Sequence, residues 1–189
     1  MRIREEIQES IAVKERALES MVEQIQTTGE RLIAQLKAGN KVLICGNGGS
    51  AADAQHFSAE LINRFEKERA PLPAIALTTD SSNLTSIAND YHYDEVFATQ
   101  VQALGQEGDI LVAISTSGNS NSINRAIEEA LKKGLYVLAL TGEDGGKLKE
   151  FNSPNITLLH APSGRTARIQ EVHILVIHIW CGLIDAEFA

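Results

Sequence analysis

The stretch "KVLICGNGGSAADAQHFSAEL", residues 41–61, places a short apolar run, a glycine-rich turn and a helical segment in direct succession. An apolar run as short as 41–45 is typical of a strand buried on both faces. Similar runs recur at 73–77, 109–115, 135–140 and 155–160, with helical stretches between most of them. Because strands and helices alternate in this way, the sequence predicts one α/β domain with a parallel sheet covered on both faces.

The first 38 residues follow a different pattern, with apolar side chains at helical spacing. This pattern predicts one long or two consecutive amphipathic helices, ended by Gly39 as a cap. We therefore expect a helical segment at 1–38 ahead of an α/β core at 39–189. An apolar stripe on such an extension would be exposed, so we expect it to serve in oligomerisation.

Composition excludes several classes of protein. A chain of 189 residues suits one domain with a real core, and a net charge of −8 makes a nucleic-acid partner improbable. Cys45 and Cys181 make neither a disulfide framework nor a thiolate zinc site, and we expect buried thiols in a reducing cytoplasm. The charged N-terminus lacks the apolar core of a secretory signal. The apolar stretch 169–184 is interrupted by polar residues and predicts a buried helix, with no membrane partner.

Three loops that follow predicted strands carry polar chemistry: 46–50, 115–120 and 141–146. In open parallel sheets ligands bind beyond the carboxyl ends of the strands. The loop "STSGNS" at 115–120 precedes a helix, and hydroxyls with free N–H groups at a helix N-terminus bind phosphate without a cation. The alternative is a serine-rich turn in which Ser120 only caps the helix.

The first loop also fits a dinucleotide fingerprint, because Gly46, Gly48 and Ala51 match G-x-G-x-x-G/A between a strand and a helix. Asp80 could then act as the ribose-binding acid. Asp80 lies about 30 residues on, however, where the fingerprint places its acid about 20 residues on. This interpretation leaves the Ser/Thr loop unexplained, so we rank it below a sugar-phosphate site.

Two pairs of polar residues have the spacing of metal ligands. His56 and Glu60 are four residues apart and share one helix face, although an isolated pair of this kind is more often an exposed polar face. Gln170 and His178 lie about two turns apart in an otherwise apolar helix, where buried polar groups need partners. His173 fits better as a satisfied core histidine. Two imidazoles, a carboxylate and an amide could surround zinc tetrahedrally, but spacing alone does not show that the pairs meet.

Together, "CGNGGSAADAQHFSAEL", "ISTSGNS", "LTGEDGG" and "RIQEVHILVIH" resemble the phosphoheptose isomerases, a family of the sugar-isomerase (SIS) domain superfamily, over nearly the whole chain. The resemblance implies a three-layer sandwich with a five-stranded parallel sheet and a homotetramer. It implies conversion of D-sedoheptulose 7-phosphate to D-glycero-D-manno-heptose 7-phosphate, which feeds ADP-heptose and the lipopolysaccharide core.

The resemblance also assigns residues. The zinc ligands, one ion per subunit, fall on His56, Glu60, Gln170 and His178. Glu60 is implied as the base at the sugar carbons, and His178 as the group that moves a proton between the oxygens. The implied sugar-phosphate contacts are Asn47, Gly48, Gly49, Ser50, Glu60, Asn89, Asp90, Ser115, Thr116, Ser117, Ser120 and Gln170. Arg165 and Arg168, at the start of the last helix, are expected on the surface.

A second class of protein shares these features. A bacterial regulator that binds a replication initiator has the same fold and resembles "INRFE" (62–66), "SIAND" (86–90) and "TARIQE" (166–171) of this chain. That relative lacks the carboxylate and histidine matching Glu60 and His178, so their presence here favours the enzyme. A non-catalytic regulator remains the alternative.

Overall fold

A computed structural model describes residues 2–142 and 144–189. Its centre is a parallel sheet of five strands in the order β2-β1-β3-β4-β5. The strands are β1 (Val42–Gly46), β2 (Ala74–Ala76), β3 (Ile110–Ser115), β4 (Tyr136–Gly142) and β5 (Ile156–Ala161). Each begins within one residue of its predicted start, and the predicted fold class is confirmed. Continuous apolar runs in β1 and β3 are buried throughout because helices cover both faces of the sheet.

Among the described residues, seven helices make the outer layers: α1 (Ile3–Ser20), α2 (Val22–Lys37), α3 (Gly49–Ile62), α4 (Ser81–Asp90), α5 (Ala98–Leu104), α6 (Asn121–Lys132) and α7 (Thr166–Phe188). Short 3-10 turns lie at Tyr93–Glu95 and Gly146–Glu150. One apolar cluster packs α1, α2, α3 and α7 against the sheet. The other packs α4, α5 and α6 against its opposite face.

The N-terminal segment is two helices, separated at the buried Met21. Gly39 has a positive φ and follows α2 as the predicted cap, with its N–H donating to the carbonyl of Leu36. Large apolar side chains of this segment are exposed: Ile3, Ile7, Ile11, Leu18 and Val22. The expected apolar stripe is therefore present on the surface of the single chain.

Helix α7 is a core helix. By length and composition it could cross a membrane, but half of its most apolar 18-residue window is buried inside the fold. Trp180 is fully buried and its indole N–H donates to the carbonyl of Ile25 and to the hydroxyl of Thr28. A Cβ on Gly29 would lie 2.7 Å from the side chain of Leu183. The small residue thus lets α2 approach α7 closely.

The structure agrees with the expectation for the cysteines and corrects the one for Arg168. Cys45 and Cys181 are free and buried, and burial raises the pKa of both thiols.

Arg165 pairs with glutamates of α1 at the surface, as expected. Arg168 is instead buried, and it donates to the backbone carbonyl of Glu6. It fastens α1 to the start of α7, a long-range contact that helical spacing does not reveal.

A buried ion pair fastens the loop at 63–72 to α7. Asp185 accepts hydrogen bonds from the N–H groups of Glu66 and Lys67 and from Nε of Arg69, at 2.8 to 3.0 Å. The two charged side chains are 1% and 2% exposed. Burial alone would raise the pKa of Asp185, but these donors outweigh burial and hold its pKa below the usual value.

The same arginine holds the end of α3. Its guanidinium donates to the backbone carbonyls of Glu60 and Leu61 at 2.5 and 2.9 Å. These are carbonyls of the last helical turn, which have no partner within the helix. The Arg69–Asp185 pair therefore connects the end of α3 to α7.

We expect Asp185→Asn to lower the free energy of unfolding by about 3 to 5 kcal/mol, because it leaves the Arg69 charge buried without its counter-ion. Chemical denaturation would measure this loss. The matched control is Glu68→Gln, which breaks the exposed Arg64–Glu68 pair and should cost less than about 1 kcal/mol. A loss as small as this in Asp185→Asn would contradict the description of the buried pair.

Stability should also fall at acidic pH through His173. Burial lowers the pKa of this imidazole from its usual 6.5 to about 4, although a hydrogen bond with the carbonyl of Thr141 opposes the shift. The unfolded chain therefore binds the proton first, and stability is lost as pH falls from 6.5 towards 4. We expect a loss of about 2 kcal/mol between pH 7 and pH 5 from this group. In His173→Leu the urea midpoint should vary less over that range, and an unchanged pH slope would contradict the assignment.

Candidate active site

The polar loops after β1 and β3 meet at the carboxyl edge of the sheet, as predicted, and line a cavity of about 330 Å³. Eight of the expected substrate contacts line it: Asn47, Gly49, Ser50, Ser115, Thr116, Ser117, Ser120 and Gln170. Ile114 and Thr166 complete the lining. The rule for parallel sheets therefore predicted the edge at which this cavity lies, whereas Thr166 and Gln170 reach it from α7 and no described residue of the third loop, 141–146, is part of the lining.

The N-termini of three helices reach the cavity. Gly49 and Ser50 begin α3, Ser120 precedes α6, and Thr166 begins α7. Each helix start offers unpaired backbone N–H groups and the positive end of a helix dipole. The described lining contains no lysine, arginine or histidine. The cavity therefore has the features of an anion site made from backbone dipoles and hydroxyls.

The structure does not support a capping role for the side chain of Ser120. This residue occupies the N-cap position of α6, yet its side chain makes no capping hydrogen bond. Its hydroxyl oxygen instead accepts a hydrogen bond of 2.9 Å from Nδ2 of Asn47, across the cavity edge. The hydroxyl therefore belongs to the cavity.

Close approach of α3 and α7 brings the two polar pairs towards each other. A Cβ on Gly49 would lie 2.3 Å from Nε2 of Gln170, so a side chain at this position would displace the glutamine amide from its present place. Eight residues further along α7, Nε2 of His178 lies 3.0 Å from Nε2 of His56. Oε1 of Glu60 is 3.4 Å from the same atom of His56.

The donor set of this cluster fits zinc. Imidazole nitrogens and a carboxylate are its usual ligands, and Nε2 of His56 has one of each within 3.4 Å. In the present positions of the side chains, residues 2–142 and 144–189 contain no group of three or more His, Cys, Asp or Glu arranged as a metal site.

Two side chains that the sequence did not single out support this cluster. The ring of Phe65 stacks on the imidazole of His178, with centroids 5.5 Å apart and planes at 26°. Asp53 lies one turn before His56 on α3, and burial raises the pKa of its carboxyl while the charge of His56 opposes the rise. A titratable group perturbed in this way one turn from His56 is typical of a functional site.

Other expected contacts lie outside the cavity lining. Gly48 has a positive φ and forms the exposed turn before α3. Asn89 and Asp90 are exposed at the end of α4, where the amide of Asn89 donates to Asp90. In the third loop, 141–146, Glu143 lies outside the described residues.

The structure gives Asp80 a local role. Its carboxylate accepts from the N–H of Asn83 and caps α4. This role explains the residue without a bound ribose, and it removes the acid on which the dinucleotide alternative depended.

Sequence and structure comparisons agree with this geometry. The family model of the SIS domain matches residues 7–142. A phosphoheptose isomerase of Halorhodospira halophila is 58% identical over 184 residues, which cover 97% of this chain and 93% of that relative.

Two solved structures superpose over almost the whole chain. Phosphoheptose isomerase GmhA from Neisseria gonorrhoeae is 48% identical with a TM-score of 0.93, and covers 97% of both chains. A phosphoheptose isomerase from Francisella tularensis is 43% identical with a TM-score of 0.94, covering 97% of this chain and 96% of that one. The chain is therefore an enzyme of the SIS-domain superfamily and belongs to the phosphoheptose isomerase family.

Proposed function

We propose that this enzyme converts D-sedoheptulose 7-phosphate to D-glycero-D-manno-heptose 7-phosphate by proton transfer through an enediol. The observation that carries the proposal is the cavity at three helix N-termini, together with a carboxylate and two imidazoles about two turns further along α3 and α7. One end of this site suits a phosphate, and the other suits acid and base chemistry. Isomerisation of a phosphorylated sugar uses both: one part of the site binds the phosphate while the other transfers protons.

The hydroxyl loop would hold the substrate at a distance from the reacting carbons. Ser115, Ser117 and Ser120 line the cavity beside the N-terminus of α6, where they can donate to phosphate oxygens. Binding energy from a group remote from the chemistry can then orient C1 and C2 of the open-chain sugar. Because the phosphate would be bound by hydroxyls and by backbone N–H groups at helix N-termini, its binding requires no lysine or arginine.

The chemistry would be shared between α3 and α7. Glu60 removes the proton from C1 of the ketose and returns a proton to C2, while His178 moves a proton between the oxygens on C1 and C2. Glu60 is one-fifth exposed, and Arg69 fixes its backbone carbonyl. Phe65 limits the rotation of the His178 ring. Both groups are thus held by neighbours that take no part in the reaction.

We propose zinc, one ion per subunit, as the cofactor. His56, Glu60 and His178 offer suitable donor atoms within one cluster, and Gln170 would supply an amide oxygen from the edge of the cavity. When bound, zinc would polarise the sugar carbonyl as a Lewis acid.

Location, pathway and assembly follow as further parts of the proposal. The product would feed the synthesis of ADP-heptose and the lipopolysaccharide core in the cytoplasm. The exposed apolar side chains of α1 and α2 support assembly into a homotetramer. The regulator of a replication initiator is not favoured, because Glu60 and His178 are both present and both belong to the cluster.

An NMR time course with sedoheptulose 7-phosphate tests the reaction, and Glu60→Gln tests the base. We expect the enzyme to form the aldoheptose 7-phosphate, and the variant to lose a factor of about 10² to 10⁴ in kcat because its amide cannot accept the C1 proton. Glu68→Gln, at an exposed position of the following loop, is the matched control and should retain full activity. A loss of only a few fold in Glu60→Gln would remove Glu60 from the role of base.

The zinc assignment has its own readout, which requires no turnover. Competition with a chromophoric chelator should show one tightly bound zinc ion per chain, and His56→Ala should weaken its binding at least about 10-fold to 100-fold. His92→Asn removes an exposed imidazole that is not part of the cluster, and it should leave the zinc affinity unchanged. Equal zinc affinity in wild type and His56→Ala would place the ion elsewhere.

A further inference from the structure

The 3-10 turn at Tyr93–Glu95 belongs to neither the strand-end loops nor the histidine cluster, yet it docks beside the cavity. Nε of Arg125 donates to Glu95 at 2.9 Å, and the amide of Asn121 donates to Asp94 at 3.3 Å. Both partners lie on α6, the helix whose N-terminus carries the hydroxyl loop. These contacts hold the turn in a defined position.

From this turn, Tyr93 reaches the glycine loop after β1. Its hydroxyl donates to Oδ1 of Asn47 at 2.7 Å. The amide nitrogen of Asn47 in turn donates to the hydroxyl oxygens of Ser120 and Ser122, at 2.9 and 3.0 Å. Both hydrogens of the Asn47 amide are thus used within the protein, and the three elements form one chain of hydrogen bonds.

The direction of this chain determines what Ser120 can offer to a ligand. A serine hydroxyl has one hydrogen to donate. Because Ser120 accepts from Asn47 and does not cap α6, its own hydrogen can turn either to the hydroxyl of Ser122, 3.3 Å away, or to a ligand in the cavity that it lines. A charged phosphate oxygen is the stronger of these two acceptors. A phosphate dianion has only acceptor oxygens, so a hydroxyl serves it only as a donor.

A reversed amide at Asn47 would have the opposite effect. Its Oδ1 would face Ser120, and the serine would donate its hydrogen to Asn47 in place of the ligand. Tyr93 opposes this reversal, because a phenolic hydroxyl is a stronger hydrogen-bond donor and a weaker acceptor than a serine hydroxyl, and it therefore favours Oδ1 over Nδ2 as its partner.

We infer that Tyr93 is a positioning residue for phosphate binding: it fixes the amide of Asn47 so that Ser120 presents its hydroxyl hydrogen to the phosphate of the substrate. The inference rests on the proposed function in that it deepens the role of the same cavity. It also changes the role expected of Asn47, from direct substrate contact to orientation of the serine that makes the contact.

Tyr93→Phe tests this, with inorganic phosphate as the probe and calorimetry as the measurement. Removing one neutral hydrogen bond from a half-exposed tyrosine should weaken phosphate binding about threefold to tenfold. The KM for sedoheptulose 7-phosphate should rise by a similar factor with kcat within about twofold, since the reacting carbons lie elsewhere. Tyr91→Phe, two residues away and still more exposed, is the matched control and should bind phosphate as wild type does.

A double-mutant cycle separates positioning from direct contact. If Tyr93 acts through Asn47 on Ser120, then Tyr93→Phe should cost no further phosphate affinity in a Ser120→Ala background. The same loss in both backgrounds, unchanged affinity in Tyr93→Phe, or a fall in kcat at constant KM would each overturn the inference. Phosphate calorimetry does not depend on turnover, so failure of the isomerase assay in the wild type would refute the proposed function separately.

Discussion

The close contact between α3 and α7 is the constraint on which the rest of the site depends. Gly49 lies so close to Gln170 that a methyl group there would displace the glutamine amide. From this contact the two helices run past each other with His56 and Glu60 on one and His178 on the other. The Arg69–Asp185 pair then connects the end of α3 to α7. The cavity and the histidine cluster are therefore two consequences of one helix packing.

An acidic chain with a net charge of −8 can still bind an anion, because the local field of the cavity differs from that of the whole surface. Three helix dipoles converge where the described lining has no charged side chain. Hydroxyls add donors that lose little on desolvation compared with an ammonium group. In the proposed mechanism, donors at fixed positions would hold the phosphate in one place and orientation. This suits an enzyme that must place two particular carbons of a long sugar.

Local patterns in the sequence predicted much of this arrangement. Short apolar runs gave the five strands, and the rule for parallel sheets gave the edge at which the loops meet. The spacing of His56 and Glu60 placed both on one helix face. That α3 and α7 meet could not be worked out from spacing, because the contact joins residues more than one hundred positions apart; the resemblance to a family supplied it.

Other parts of the site left no periodic signal. Tyr93 lies in a turn of three residues, and only the docking of that turn on α6 reveals its bond to Asn47. Arg69 and Asp185 appear in the sequence as ordinary charged residues, although both are buried. No sequence pattern marks Thr166 as a site residue, although it begins the helix that carries Gln170 and lines the cavity. Conversely, Asn89 and Asp90 lie outside the cavity lining, and their contact with substrate stays a prediction.

The most direct measurement is a crystal structure of the zinc-loaded enzyme with sedoheptulose 7-phosphate, recorded with anomalous data at the zinc edge. The account predicts the phosphate among the N-termini of α3, α6 and α7, within hydrogen-bonding distance of Ser120, and one anomalous peak between His56 and His178. A phosphate bound outside this cavity, or a zinc peak away from those two imidazoles, would contradict it.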